Sequence, residues 1–241
     1  AAFKRAMADG ADGIEFDVRL SKDDVPVVFH DKTLDRTARR EGLVSDFTSA
    51  QLSSMDIGSW FNMTFRQTAN SAFSNERISM LSETLIFLEG FTGRIYIELK
   101  CDDSDMEPLT DSVCAIVKNS PLAGQVVIKS FKLDAIRRTR IACPNLITAA
   151  LFPVKLKMIL RTERHILTAA HQFGADEISL HYSLATRKLM NMANKRGLPV
   201  TIWTVDNPRW IKRCIQLGVK AIITNNPARL LAKRSEILCG Y

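Results

Sequence analysis

The chain has 241 residues, 46% of them hydrophobic, with a formal net charge of +7 and a mean hydropathy of −0.03. That length can bury one large α/β core, and no apolar run is long enough to span a bilayer, so a soluble protein without stable membrane insertion is expected. The basic balance suits an anionic partner, but Lys and Arg are scattered rather than gathered into a block, which disfavours nucleic acid and an anionic membrane surface and leaves a small phosphate compound.

In chain order, "AAFKRAMADG" reads as the middle of a helix, so any signal peptide would lie upstream. "DGIEFDVRLS" then alternates strictly: Ile14, Phe16, Val18 and Leu20 share one face of a strand, and Glu15, Asp17 and Arg19 share the other with Gly13. "SKDD" reads as a turn into a short extended run, Pro26–Asp31. The stretch 32–79 shows little regular pattern beyond a helical turn or two and is expected to be a functional insertion. Further strands are predicted at Arg94–Lys100, Val126–Phe131, Ile147–Phe152, Glu177–His181, Val200–Val205 and Ala221–Thr224, with helices between them such as Thr162–Phe173 and Thr186–Lys195. Gly after a helix tail marks each stop ("HQFGADEISL", "QLGVKAIIT"), and Asn before Pro marks helix starts in "VDNPRW" and "TNNPARLL". Strands alternating with helices imply a parallel sheet, here a (β/α)₈ barrel with one strand unaccounted for.

"RIYIELK" repeats the construction of the first strand, with Ile95, Ile97 and Leu99 opposed to Arg94, Tyr96, Glu98 and Lys100. In a barrel the polar faces look inward, so Glu15, Asp17 and Glu98 converge. Three carboxylates in one desolvated site repel each other unless a cation joins them, and an all-oxygen set points to Mg²⁺ or Ca²⁺. The alternative is a structural salt-bridge network in which Arg19, Arg94 and Lys100 neutralise the carboxylates. Cys101, Cys114, Cys143, Cys214 and Cys239 are odd in number and lack CxxC spacing, so a reducing, cytoplasmic compartment is expected and neither disulfides nor zinc.

At this point "GADGIEFDVRLSKDDVPVVFHDKTLDRT", "DIGSWF", "IYIELK", "VVIKSF", "PVTIWTV" and "AIITNNP" together resemble, from end to end, the glycerophosphodiester phosphodiesterase family. The resemblance implies a TIM barrel with a small insertion after the second barrel strand (32–79), a single domain over 1–241, and hydrolysis of glycerophosphodiesters to glycerol 3-phosphate and an alcohol. It implies Glu15, Asp17 and Glu98 as ligands of one divalent cation, His30 as one of two catalytic histidines, and Lys100 as a phosphate contact. It also places Trp203 where the family lines its mouth with an aromatic ring. The family's route has a neighbouring glycerol hydroxyl attack phosphorus to give a cyclic phosphate that water opens.

The stretch departs from the family in several places. The family's opening strand with H-R-G, which carries the other catalytic histidine, is expected upstream of Ala1, between Gly13–Leu20 and Ala221–Thr224 in the sheet. A protein beginning at Ala1 is therefore expected to have unpaired edges on those two strands, poor solubility and little activity. Asn225 stands where Asp is common, Ser79-Met80 replaces Pro-Thr, and Asp24 replaces a turn Gly whose left-handed conformation Asp tolerates.

Among the other histidines, His165 and His171 read as surface or packing residues of a helix. His181 follows a strand and reads either as a substrate contact or as structure, and Trp203 either as a substrate platform or as core. Lys155, Lys157 and Arg161 form either a basic substrate loop or one face of a solvated helix. Two other functions fit the same residues: a non-catalytic phosphate-binding barrel, and a phospholipase D-like enzyme acting on lysophospholipids.

Overall fold

The structure is a computed structural model that describes residues 1–154 and 163–240. After helix α1 (Ala2–Ala8) come strands β1 (Gly13–Leu20) and β2 (Pro26–Val28), then short helices α2 (Ser49–Ser53), α3 (Ser59–Thr64) and α4 (Leu81–Phe87). From β3 (Arg94–Leu99) onward strands and helices alternate: α5 (Met106–Lys118), β4 (Val126–Ser130), α6 (Leu133–Ala142), β5 (Ile147–Phe152), α7 (Glu163–Gln172), β6 (Glu177–His181), α8 (Arg187–Asn194), β7 (Val200–Trp203), α9 (Trp210–Leu217), β8 (Ala221–Ile222) and α10 (Pro227–Cys239).

Among the described residues the strands form one sheet in the order β2-β1-β3-β4-β5-β6-β7-β8. The Arg94 amide donates to the Asp12 carbonyl and the Lys100 amide to the Val18 carbonyl, the same offset at both ends, so β1 and β3 run parallel. β4 to β8 are parallel as well, with Lys129 opposite Ala149 and Ser179 opposite Thr201. β2 pairs antiparallel with β1, Val18 opposite Val28. The unpaired edge expected on β1 is therefore partly covered, because the turn folds "PVV" back on Val18–Leu20.

The chain divides into two compact units. One comprises Ala1, Phe16–Thr92 and Ile97–Val126; the other comprises Ala2–Glu15, Gly93–Tyr96 and Val127–Tyr241. The first has a core of Val27, Phe29, Leu34, Val44, Leu52, Met55 and Ile78. Its stretch 32–79 is more ordered than its sequence suggests, because its structure comes from caps and single bridges that leave no periodic trace. The Thr48 hydroxyl accepts the Gln51 amide at the start of α2, and Thr33 bridges Leu43. Gly58 is required by contact: a Cβ there would lie 1.6 Å from the Phe73 carbonyl oxygen.

The second unit packs β5, β6 and β7 against α7 and α8 through Phe152, Leu167, Ile178, Leu189 and Ile202. Gly174 and Gly218, with φ of 74° and 67°, stop α7 and α9 as their positions after helix tails predict. Asn226 caps α10 with Pro227 at its first position, as read. In "VDNPRW", however, the helix starts at Trp210: Asn207 accepts the Arg209 amide and closes a turn before the helix. Four predicted strands end early, at Leu99, Ser130, Trp203 and Ile222, although single cross-strand hydrogen bonds, from the Lys100 amide to the Val18 carbonyl and from the Ile223 amide to the Ile202 carbonyl, run one residue beyond two of these ends. Asp24 has φ 58°, the left-handed conformation read for it.

Candidate active site

The alternation in β1 carries through to burial. Ile14, Phe16, Val18 and Leu20 are buried, and Glu15, Asp17 and Arg19 are half-buried rather than bathed in water. In β3 both faces are buried, including Glu98 at 4% exposure. A carboxylate in that position needs compensating charge. Glu15, Asp17 and Glu98 each offer a carboxylate oxygen, and these atoms lie within 4.8 Å of one another.

Two lysines answer them. Lys100 Nζ contacts Glu98 and lies 3.3 Å from Asp17. Burial by itself would depress the Lys100 ammonium, but Glu98 and then Asp17 outweigh it and hold its pKa above the ordinary value. Lys129 of β4 is 2% exposed, with Nζ 2.5 Å from Glu15 Oε1. The salt-bridge alternative is thus met in part, by Lys100 together with Lys129, which sequence reading passed over. Arg19 does other work: it donates to the backbone carbonyls of His30 and Lys100, tying the ends of two βα loops together.

His30 lies just beyond β2 on an exposed loop, and its Nδ1 is 2.7 Å from Asp31 Oδ1. An ionised carboxylate only accepts, so Nδ1 carries a proton, and in the neutral ring Nε2 is the nitrogen left with a lone pair. The other Asp31 oxygen accepts from Arg36 Nε at 2.6 Å. Asp31 thus orients His30 from one oxygen and is itself held by Arg36 through the other.

At the ends of β4, β6 and β7, Phe131 and His181 each stand edge-on to Trp203 with ring centroids 5.5 Å away. Trp203 is half-buried, and its Nε1 is a buried donor with no hydrogen-bond partner among the described residues. His181 Nδ1 lies 2.8 Å from the Ser183 hydroxyl and takes a long contact, 3.4 Å, from the Ser183 amide. Because an amide can only donate, Nδ1 is the acceptor and Nε2 carries the proton, the tautomer opposite to that of His30. Burial lowers the His181 pKa and favours that neutral ring.

Glu15, Asp17, Glu98 and Lys100 come together, as do His181 and Trp203. His165 and His171 are exposed on α7, in keeping with the surface reading. Lys155, Lys157 and Arg161 lie outside the described residues. The signal that could have exposed Lys129 was present: it is the one charged residue in the buried run "VVIKS".

Known proteins carry the same arrangement of elements. Residues 1–229 match the sequence model of the glycerophosphoryl diester phosphodiesterase family. The chain is 33% identical over 235 residues to a glycerophosphodiester phosphodiesterase of Caldanaerobacter subterraneus subsp. tengcongensis, covering 96% of this chain and 89% of that one. It is 30% identical over 234 residues to a glycerophosphodiester phosphodiesterase of Bacillus subtilis, covering 94% of this chain and 78% of that one. Among solved structures, an Oleispira antarctica phosphodiesterase in complex with the product sn-glycerol-3-phosphate superposes with a TM-score of 0.84 at 20% identity, covering 95% of this chain and 87% of that one. A glycerophosphodiester phosphodiesterase from Agrobacterium tumefaciens superposes with a TM-score of 0.75 at 24% identity, covering 95% and 90%. The TIM-barrel fold read from alternating strands and helices is the fold of these structures, and the match over residues 1–229 shows that the chain belongs to the glycerophosphoryl diester phosphodiesterase family, a family of phosphoric diester hydrolases.

Proposed function

We propose that this chain hydrolyses glycerophosphodiesters to glycerol 3-phosphate and an alcohol, with one divalent cation, Mg²⁺ or Ca²⁺, held by Glu15, Asp17 and Glu98. The family is metal-dependent. The observation that carries the reading is the convergence of these three carboxylates, two of them paired with Lys100. The donor set is all oxygen, and its span suits ligands at about 2.0–2.6 Å from one hard cation. Charge supports the fit as well. Three carboxylates and the two ammonium groups of Lys100 and Lys129 leave one negative charge, which a divalent cation turns into one positive charge, the complement of a phosphodiester monoanion. Bound there, the cation would polarise a non-bridging phosphate oxygen and stabilise charge that grows in the transition state.

The rest falls to the chain's own residues. Lys100 binds a non-bridging oxygen as a fixed positive charge. His30 presents Nε2 to take the proton of the attacking oxygen or return one to the leaving alcohol, and it performs one of these two transfers. His181 offers Nε2–H as a neutral donor beside Trp203, and the two contact substrate. The partner is a small molecule rather than nucleic acid, and among the described residues no helix is long and apolar enough to cross a membrane. The odd number of cysteines without CxxC spacing suits a reducing, cytoplasmic setting. We read 1–241 as one barrel domain with 32–79 as its insertion.

The test is glycerol 3-phosphate release from glycerophosphocholine with Mg²⁺, with Ca²⁺ and with a chelator, using protein from the complete gene. Release that depends on one of the ions is expected. Tight phosphate binding without release would assign a non-catalytic barrel, and choline release from lysophosphatidylcholine without glycerol 3-phosphate from glycerophosphocholine would assign a phospholipase D-like enzyme.

A further inference from the structure

We propose that Arg36 and Trp60 are positioning residues that hold the His30 imidazole in the tautomer and orientation proton transfer needs, making the aromatic cluster of residues 60–73 a support of the reaction. The inference rests on the reading of His30 as a proton-transfer group. Its basis is a continuous series of contacts within one compact unit. His30 Nδ1 meets Asp31 Oδ1 at 2.7 Å, and Asp31 Oδ2 accepts from Arg36 Nε at 2.6 Å. The guanidinium carbon of Arg36 stands 5.0 Å from the centre of the Trp60 ring. Trp60 in turn meets Phe61 and Phe65 edge-on at 6.2 and 6.1 Å, and Phe61 packs on Phe65 and Phe73 at 4.8 and 5.6 Å.

Burial does not hold His30 in place, since its side chain is 61% exposed and that of Arg36 54%. Rotation of the imidazole is restrained instead by Asp31, whose two oxygens are each engaged. Arg36 is the largest influence keeping the Asp31 carboxyl below its ordinary pKa; burial opposes it and His30 reinforces it. Asp31 therefore stays an ionised acceptor and keeps the proton on Nδ1.

Arg36 suits its place because a guanidinium can donate in its plane to a carboxylate while its flat face lies on an indole; a lysine ammonium has no such face. Ion pairs this exposed contribute little to stability, so structural need does not explain the arrangement. The sequence places Arg36 five residues past Asp31 and Trp60 in the separate "DIGSWF" run, and the fold joins them.

The experiment uses protein from the complete gene, with glycerophosphocholine as substrate. Arg36→Met should lower kcat by about ten- to a hundredfold with KM within about twofold, since misplacing a proton-transfer group acts on the transition state. Arg36→Lys should recover only part of that loss. Trp60→Ala should cost about tenfold and Trp60→Phe, which keeps an aromatic face, should restore most of it. The double variant Arg36→Met/Trp60→Ala should be no slower than Arg36→Met alone, because Trp60 acts through Arg36. Imidazole ¹⁵N shifts should show His30 as the Nδ1–H tautomer in the parent and a growing Nε2–H population in Arg36→Met, a change that loss of folding stability alone would not produce. Additive losses in the double variant, or an unchanged His30 tautomer, would overturn the proposal. If His30→Ala retains full turnover, the underlying reading of His30 fails; if it is nearly inactive while Arg36→Met is fully active, only the positioning role fails.

Discussion

Lys129 Nζ meets Glu15 Oε1 at 2.5 Å, and the lysine is buried to 2% exposure between Ile128 and Ser130 on β4. Removing one partner of a buried pair leaves the other charge uncompensated, which costs about 3 kcal/mol. Lys129→Met is therefore expected to lose about that much stability in a chelator and to regain much of it with Ca²⁺ or Mg²⁺, which would compensate Glu15 instead. Urea unfolding with and without cation checks this. An equal loss under both conditions would separate Lys129 from the cation site.

Cation binding itself should fail when a charged ligand is replaced by its neutral isostere. Glu15→Gln and Asp17→Asn are expected to abolish cation-dependent activity and to remove measurable Mg²⁺ and Ca²⁺ binding in titration calorimetry, while far-ultraviolet circular dichroism stays unchanged. Affinity equal to the parent's in both variants would defeat the assignment.

Loss of the His30 imidazole should spare the cation. His30→Ala is expected to lower turnover by about two to four orders of magnitude, the usual contribution of general acid–base catalysis, with calorimetric cation affinity intact. A fall smaller than about tenfold would move His30 to a structural role.

A pH effect should come from the turn between β1 and β2. The Asp23 carboxylate accepts the Ser21 hydroxyl at 2.6 Å, and the Ser49 amide and hydroxyl at 2.7 and 2.8 Å. Ser21 first and then Ser49 lower its pKa to about 2. A depressed carboxylate binds fewer protons in the folded chain than in the unfolded one, so its stabilisation is complete above about pH 4 and is lost as pH falls through about 2. Asp23→Asn should flatten the fall of stability across that window. Urea midpoints at about pH 5, 4, 3 and 2 would show it, and parallel curves for parent and variant would remove Asp23 from the acid response.

The parts of the site legible in the sequence were those written in local period. Alternation in "DGIEFDVRLS" and "RIYIELK" placed Glu15, Asp17 and Glu98 on the polar faces of two strands, and the Gly and Asn-Pro punctuation marked where helices stop and start. Such patterns depend on neighbours a few residues apart, and a strand or helix imposes them whatever surrounds it. The resemblance to a known family added His30, which no periodicity singles out, and gave Lys100, already on the polar face of its strand, a role as a phosphate contact.

What tertiary structure alone decided was which charges meet. In "VVIKS" every residue is buried, so alternation carries no signal, and only sheet pairing brings Lys129 from β4 to Glu15 on β1. The tautomers of His30 and His181 are opposite because one ring faces a carboxylate and the other an amide and a hydroxyl. Trp60 reaches Arg36 only because the stretch 32–79 folds on caps, bridges and the close approach of Gly58 to Phe73, contacts without a period. A sequence by itself determines which face a side chain shares with its near neighbours. Whether that face finds a lysine, a carboxylate or an indole depends on strand register and loop packing, because electrostatic and aromatic contacts act between residues distant in the chain.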